Sequence, residues 1–266
     1  MKILVTFAIE NEFAPWRDRR GFQVVQPAPT DIAASETYAA EIFGVLVRVV
    51  LTGAGPNAAA SAISLAIRPA PDAVDFCISS GLAGALKPNY RIGQVLAAQE
   101  VSSGDIQSAE PGDLLQSSEA LFSFAEQCGA TPVKRFHTAG RVIGKAVEKK
   151  YLSETADAVE MESFIVLGEA QRRGVPAIAI RAISDLADED LPFDMTGVFT
   201  EQGRISIPLV LAQVAKHPQS ISAVMKLGQS AKAAATELAD FLDCYVERLA
   251  AADTNLEGKS ASASNS

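Results

Sequence analysis

Two acidic segments late in the chain carry the strongest chemical signal. Val159-Glu160-Met161-Glu162-Ser163 is followed, about one helix later, by Arg181-Ala182-Ile183-Ser184-Asp185. Each closes an apolar run, residues 157–161 and 175–183, with the composition of a buried strand. Carboxylates are costly to bury without partners. Three of them at two neighbouring strand ends therefore predict a site, because open α/β sheets hold ligands in the crevice at the carboxyl ends of their strands. Strand alternation puts Glu160 and Glu162 on one face. Facing carboxylates repel unless a hydroxyl, a cation or a hydrogen-bond donor lies between them. The competing role is helix capping, which suits Glu160 but not both residues, since a helix starts near Ser163. Asp185 could N-cap a turn. Against that, the nine residues before it hold one charge, Arg181, set inside an apolar strand. A buried guanidinium needs an anion, and a carboxylate of the site can supply it.

A third acidic segment, Ala8-Ile9-Glu10-Asn11-Glu12-Phe13, ends the first apolar run. First strands often deliver a site residue there, although acidic residues also favour the first turn of a solvated helix. Two glycine segments, Thr52-Gly53-Ala54-Gly55-Pro56-Asn57 and Ser80-Gly81-Leu82-Ala83-Gly84, each follow a strand. They permit close approach of a ligand to backbone. Neither fits the dinucleotide fingerprint or the phosphate-loop lysine motif.

These residues need a scaffold, and the chain predicts an α/β one. Strands are expected at residues 2–8, 43–52, 73–79, 92–101, 133–138, 157–161 and 175–183, with a hairpin partner near 36–41. Helices are expected at 12–20, 57–67, 114–127, 145–153 and 163–173. Alternation of this kind gives a mostly parallel sheet. Residues 191–204 read as loop. Residues 207–215 and 221–249 read as helices broken at His217-Pro218. The domain is expected to span 1–250, with a helical extension from about 205. Residues 251–266 are small and polar and predict a disordered tail.

Composition narrows the function. The chain has 266 residues, 48% hydrophobic and 21% charged, with a formal net charge of −9. That balance argues against a nucleic-acid partner, which needs a basic surface. The basic run with Lys145, Lys149 and Lys150 reads as a solvated helix face rather than a phosphate clamp. Cys77, Cys128 and Cys244 are scattered, and the two histidines, His137 and His217, do not cluster with them. Free thiols and no metal site are expected. No apolar stretch is long enough to span a membrane, and Glu10 interrupts the first apolar run too early for a signal peptide. The expectation is a cytosolic protein.

In order and spacing, the segments at 8–12, 80–84, 159–163 and 181–188 resemble the purine nucleoside phosphorylase and nucleosidase superfamily, nearest to its 5'-methylthioadenosine/S-adenosylhomocysteine nucleosidase branch. The resemblance covers roughly residues 1–195. It implies a single α/β domain with a mixed, partly barrel-like central sheet flanked by helices. It also implies cleavage of the bond between ribose C1' and a base nitrogen, through an oxocarbenium-like transition state.

Carried over by motif, Asp185 would protonate or hydrogen-bond purine N7, with Ser184 supporting it. Glu162 would hold the ribose hydroxyls beside Met161. Glu12 would position and deprotonate water, with Arg181 holding that network. Backbone near Val159 and Glu160 would line the base pocket, and Gly81 and Leu82 the nucleophile side. No cofactor or metal is implied, and a homo-oligomer is.

The chain departs from the pattern at Leu82, where the family often has a small polar residue, and at Ala85, where it has glycine. Its C-terminal region, Glu201-Gln202-Gly203-Arg204 and the long helices around it, resembles a hopanoid-associated phosphorylase branch whose proposed substrate is an adenosylated lipid. Two alternatives to hydrolysis stay open. One is phosphorolysis, with phosphate as co-substrate in a basic cradle near Gly53-Ala54-Gly55 using Arg48, Arg91 or a neighbouring subunit's arginine. The other is non-catalytic nucleoside binding.

Overall fold

A computed structural model describes residues 1–26, 36–67, 73–104, 113–200 and 203–263, with side chains as far as Ala252. Among the described residues, eleven strands form one sheet in the order β2-β3-β4-β1-β5-β11-β6-β10-β9-β7-β8, and β7 also pairs with β11. That extra pairing closes β11 (Ala177–Asp185), β6 (Leu82–Ala85), β10 (Ala158–Glu160), β9 (Thr131–Thr138) and β7 (Val95–Ser103) into a five-stranded mixed barrel. Outside it lie β5 (Phe76–Ser79), β1 (Lys2–Phe7), β4 (Val45–Leu51), β3 (Thr37–Ile42) and β2 (Gln23–Gln26), with β8 (Leu114–Gln116) on β7. The expected α/β domain with a mixed, partly barrel-like sheet is the one found.

Strands β4, β1, β5 and β11 run parallel, so Thr52, Ala8, Ser80 and Asp185 come to one edge. The expectation that β10 and β11 are neighbours with a shared carboxyl edge is corrected. β6 stands between them, and β10 runs antiparallel to β6. Register does the work instead: Gly84 pairs with Val159 on one side and Asp185 on the other.

Two helical layers cover the sheet. Helices α1 (Glu10–Arg20), α3 (Glu119–Gln127) and α7 (Ile221–Ala263) bury Trp16, Leu121, Leu238 and Tyr245 against one face. Helices α2 (Pro56–Ala66) and α5 (Ser163–Arg172) bury Ile63, Val166 and Leu167 against the other. Each such large apolar side chain contributes about 1.5–3 kcal/mol. Helix α4 (Ala146–Leu152) closes a smaller cluster around Val159.

Several expected boundaries move. Residues 114–127 are not one helix, because Leu114–Gln116 pair with β7 before α3 begins. Residues 82–85, at the end of the second glycine segment, form a further strand, not among those expected. The 191–204 segment contains a 3₁₀ turn, Met195–Val198, and a bridge between Phe199 and Ile205. Helices α6 (Ile207–Lys216) and α7 follow, with a 3₁₀ turn, Pro218–Ser220, at the expected break. The α7 backbone continues to Ala263, past the expected end at Leu249. The expected tail falls almost wholly beyond the described side chains, and Glu201 and Gln202 lie outside the described residues. Among the described residues, no helix is long and apolar enough to cross a membrane.

Candidate active site

Glu12 sits in the first turn of α1, where the helix leaves the end of β1. Its carboxylate is buried and folds back onto backbone: Oε2 accepts from Ala8 N at 3.0 Å and Oε1 from Leu82 N at 3.2 Å. Gly81 makes room for it. Its φ is +143°, and a Cβ there would lie 3.0 Å from Glu12 Oε2. Burial pushes the Glu12 carboxyl above its ordinary range, against the pull of the Arg181 charge and the two N–H donors. Glu12 is thus a carboxyl able to accept a proton, which a general base needs.

Glu160 and Glu162 do not share a strand face. β10 ends at Glu160, and Glu162 is the N-cap residue of α5. Glu160 Oε2 accepts from Glu162 N at 2.9 Å, from Ser163 N at 2.7 Å and from Arg181 Nη2 at 2.6 Å. Its other oxygen accepts from the Thr138 hydroxyl. Glu160 therefore closes the start of α5 and neutralises Arg181. Glu160 also borders the cavity, where its backbone is the part expected to line a base pocket, while both side-chain oxygens are engaged by protein. The buried Arg181 also donates to Ser79 O at 2.7 Å, and its Nη2 lies 3.8 Å from Glu162 Oε2.

Glu162 is left with one oxygen for a ligand. Oε1 accepts from Gly55 N at 2.8 Å. Burial, then the negative charge of Glu160, pushes its carboxyl up to about 8, against Arg181. A carboxyl raised by folding favours the folded state while it holds its proton. The unliganded protein should therefore lose stability as pH rises from about 4.5 through about 8. Thermal denaturation at about pH 5 and about pH 8.5 checks this. The wild-type Tm should fall further over that interval than the Tm of Glu162→Gln. Equal falls would place the loss in other groups.

Asp185 ends β11. Its Oδ1 accepts from Ser184 Oγ at 2.9 Å, and its Oδ2 is 2.6 Å from Lys149 Nζ. Lys149 is corrected from the solvated face expected of it: its side chain has no exposed surface. The signal was present in the helix period. Lys149 is one turn from Leu152, and these two are the buried residues of α4. Gly84 gives Asp185 its space, since a Cβ there would stand 2.9 Å from Oδ2.

One cavity of about 750 Å³ is lined by Glu12, Leu82, Val159, Glu160, Met161, Glu162, Ser184 and Asp185 together. Gly81 and Arg181 stand behind it. Such a volume suits a small organic ligand. Further lining comes from the 191–204 segment, through Val198 and Phe199, and from the extension, through Ile205, Val224 and Leu227. Helix α7 presents one continuous stripe there. Val224, Leu227 and Ala231 face the cavity, and Ala234, Leu238 and Leu242, at the same helical period, are buried in the core. The extension also docks on the first glycine loop. Ala54 N donates to Gly203 O at 2.8 Å, and any Cβ at Gly203 would meet Ala54 N at 2.3 Å. With Gly53 N on Ala8 O and Gly55 N on Glu162, all three amides of that loop are occupied. Arg48 and Arg91 are not among the residues lining the cavity.

A family model described as the phosphorylase superfamily matches residues 2–216. A 5'-methylthioadenosine/S-adenosylhomocysteine nucleosidase of Shewanella pealeana is 29% identical over 232 residues, covering 80% of this chain and 98% of that protein. Similar in fold are two solved Helicobacter pylori proteins, each 20% identical. A futalosine hydrolase has a TM-score of 0.69 and covers 93% of this chain and 97% of its own. A mutant methylthioadenosine nucleosidase, with 5'-methylthioadenosine in its active site, has a TM-score of 0.69 and covers 92% and 98%. With this family match spanning most of the chain, and three carboxylates gathered on one cavity of its barrel, the chain belongs to the phosphorylase superfamily and is an enzyme of the nucleosidase or phosphorylase type.

Proposed function

We propose that this enzyme is a purine nucleosidase, cleaving the N-ribosidic bond of an adenine nucleoside with water. The observation that carries hydrolysis is the Glu12 carboxylate. It occupies the niche formed by the Ala8 and Leu82 amides, near the Arg181 charge. An anion of the protein's own already fills the place where a phosphate would otherwise find donors, and like charges repel there. The glycine-loop amides are likewise taken, which leaves phosphorolysis with little support.

Three tasks fall to three carboxylates. Asp185 gives purine N7 a proton, so the base leaves as a neutral molecule. Glu162, held by Gly55 N, hydrogen-bonds the ribose hydroxyls, and in its ionised form it stabilises the positive charge that grows on the ring. Glu12 orients water toward C1' and takes its proton. The similarity to the Shewanella nucleosidase supports an adenosyl thioether as the substrate class. The apolar wall of the extension supports an apolar 5' substituent, with room for one longer than a methylthio group. Leu211, Ile221 and Met225 are apolar and exposed on that extension, which supports a homo-oligomer. We place the enzyme in the cytosol.

Glu12→Gln keeps the size of the side chain and one of its two acceptor oxygens, and removes the base. It should lower the hydrolytic kcat by about 10²–10⁴-fold with KM little changed. Steady-state kinetics on 5'-methylthioadenosine measure it. Hydrolysis at the wild-type rate would assign water activation to another group.

A further inference from the structure

Lys149 is a buried charged group that the three-carboxylate mechanism leaves unused. Its Nζ has three acceptors: Asp185 Oδ2 at 2.6 Å, Leu186 O at 2.6 Å and Glu189 O at 3.2 Å. An ammonium has three protons to donate, so each has a partner. A buried ammonium is costly even when paired, and replacement by an apolar residue often stabilises. Position 149 shares the inward face of α4 with Leu152, where an apolar side chain would pack without that cost. The partner, Asp185, reaches the cavity, and the lysine lies sealed behind it. Lys149, Asp185 and the cavity form one line of proton-bearing groups with a closed inner end.

We propose that Lys149 is a positioning residue that also supplies the proton Asp185 delivers. The inference rests on the reading of Asp185 as the acid at N7. As the C1'–N9 bond breaks, its electron pair goes to the base. Lys149 Nζ passes a proton to the Asp185 carboxylate, and the carboxyl so formed gives it to N7, which leaves a carboxylate beside a neutral amine. The oxygen of water bonds to C1', and its proton goes to Glu12. The proton on Glu12 is lost to solvent, and after the base departs Lys149 regains one through Asp185, which borders the emptied cavity. Before delivery to N7, exchange between ammonium–carboxylate and amine–carboxylic acid leaves the pair's net charge at zero, so no new unpaired charge is buried.

The test uses Lys149→Met, Lys149→Arg, Asp185→Asn and the Lys149→Met/Asp185→Asn double variant. Substrates are 5'-methylthioadenosine and p-nitrophenyl ribofuranoside, whose leaving group departs without a proton. Arginine keeps the charge but does not give up a proton. Both lysine variants should lower kcat on the nucleoside by ~100-fold, with KM within about threefold. Their rates on the nitrophenyl riboside should stay within about threefold of wild type, and Lys149→Met should add no further loss to Asp185→Asn. Wild-type kcat in Lys149→Arg would overturn proton supply. Equal losses on both substrates would overturn any action through Asp185. A fully active Asp185→Asn would instead remove the acid reading itself, and the relay with it.

Discussion

Asp185→Asn lowers kcat on an adenine nucleoside by roughly 10³-fold while the fold is retained. Asparagine can keep its oxygen on Lys149 Nζ and donate its NH2 to Ser184 Oγ, whose hydroxyl has Ala83 O as an alternative acceptor at 3.3 Å. What it lacks is a proton to give. A purine leaving without that proton carries a full negative charge, and the barrier rises by about 4 kcal/mol for a 10³-fold loss. The nitrophenyl riboside separates this from a damaged pocket, because its leaving group needs no acid. Circular dichroism and Tm close to wild type, with the nucleoside rate alone lost, are the expected pair of results. Retained nucleoside turnover would remove Asp185 from the chemistry.

Arg181→Met produces the largest loss of stability. The guanidinium is 1% exposed and pairs at 2.6 Å with Glu160, also 1% exposed at its side chain. Methionine fills most of the volume and leaves Glu160 buried with no countercharge. It also removes a cation whose charge offsets the raised carboxyls of Glu12 and Glu162. Removing one member of a buried pair costs about 3–5 kcal/mol. That corresponds to a fall in Tm of roughly 10 °C for a chain of this size. Adding Glu160→Gln should recover part of the loss, since the stranded charge goes with it. A decrease under about 1 kcal/mol would mean that water reaches the pair and screens it.

Much of this architecture is legible in the sequence, because burial of charge is expensive enough to leave a mark. Arg181 inside an apolar run announces its anion, and Asp185 at the end of that run announces the edge of a site. The strand–helix alternation gives the α/β class. What sequence alone does not yield is pairing between strands distant along the chain. The barrel closes through β7 on β11, and β6 inserts between β10 and β11. Period-two spacing put Glu160 and Glu162 on one face, but β10 ends at Glu160, so one carboxylate serves the fold and the other the cavity. Leu114–Gln116 merged with α3 because three strand residues carry too little period to be separated from a following helix. Lys149 was masked by Lys145 and Lys150, although its spacing from Leu152 placed it inward.

The central claim is that water, activated by Glu12, attacks C1' of an adenine nucleoside. The most direct measurement is adenine release from 5'-methylthioadenosine, S-adenosylhomocysteine and adenosine, each with and without inorganic phosphate. The account predicts release at the same rate in both conditions, with a free rather than phosphorylated sugar as co-product. Release that requires phosphate, with a sugar 1-phosphate as product, would contradict it.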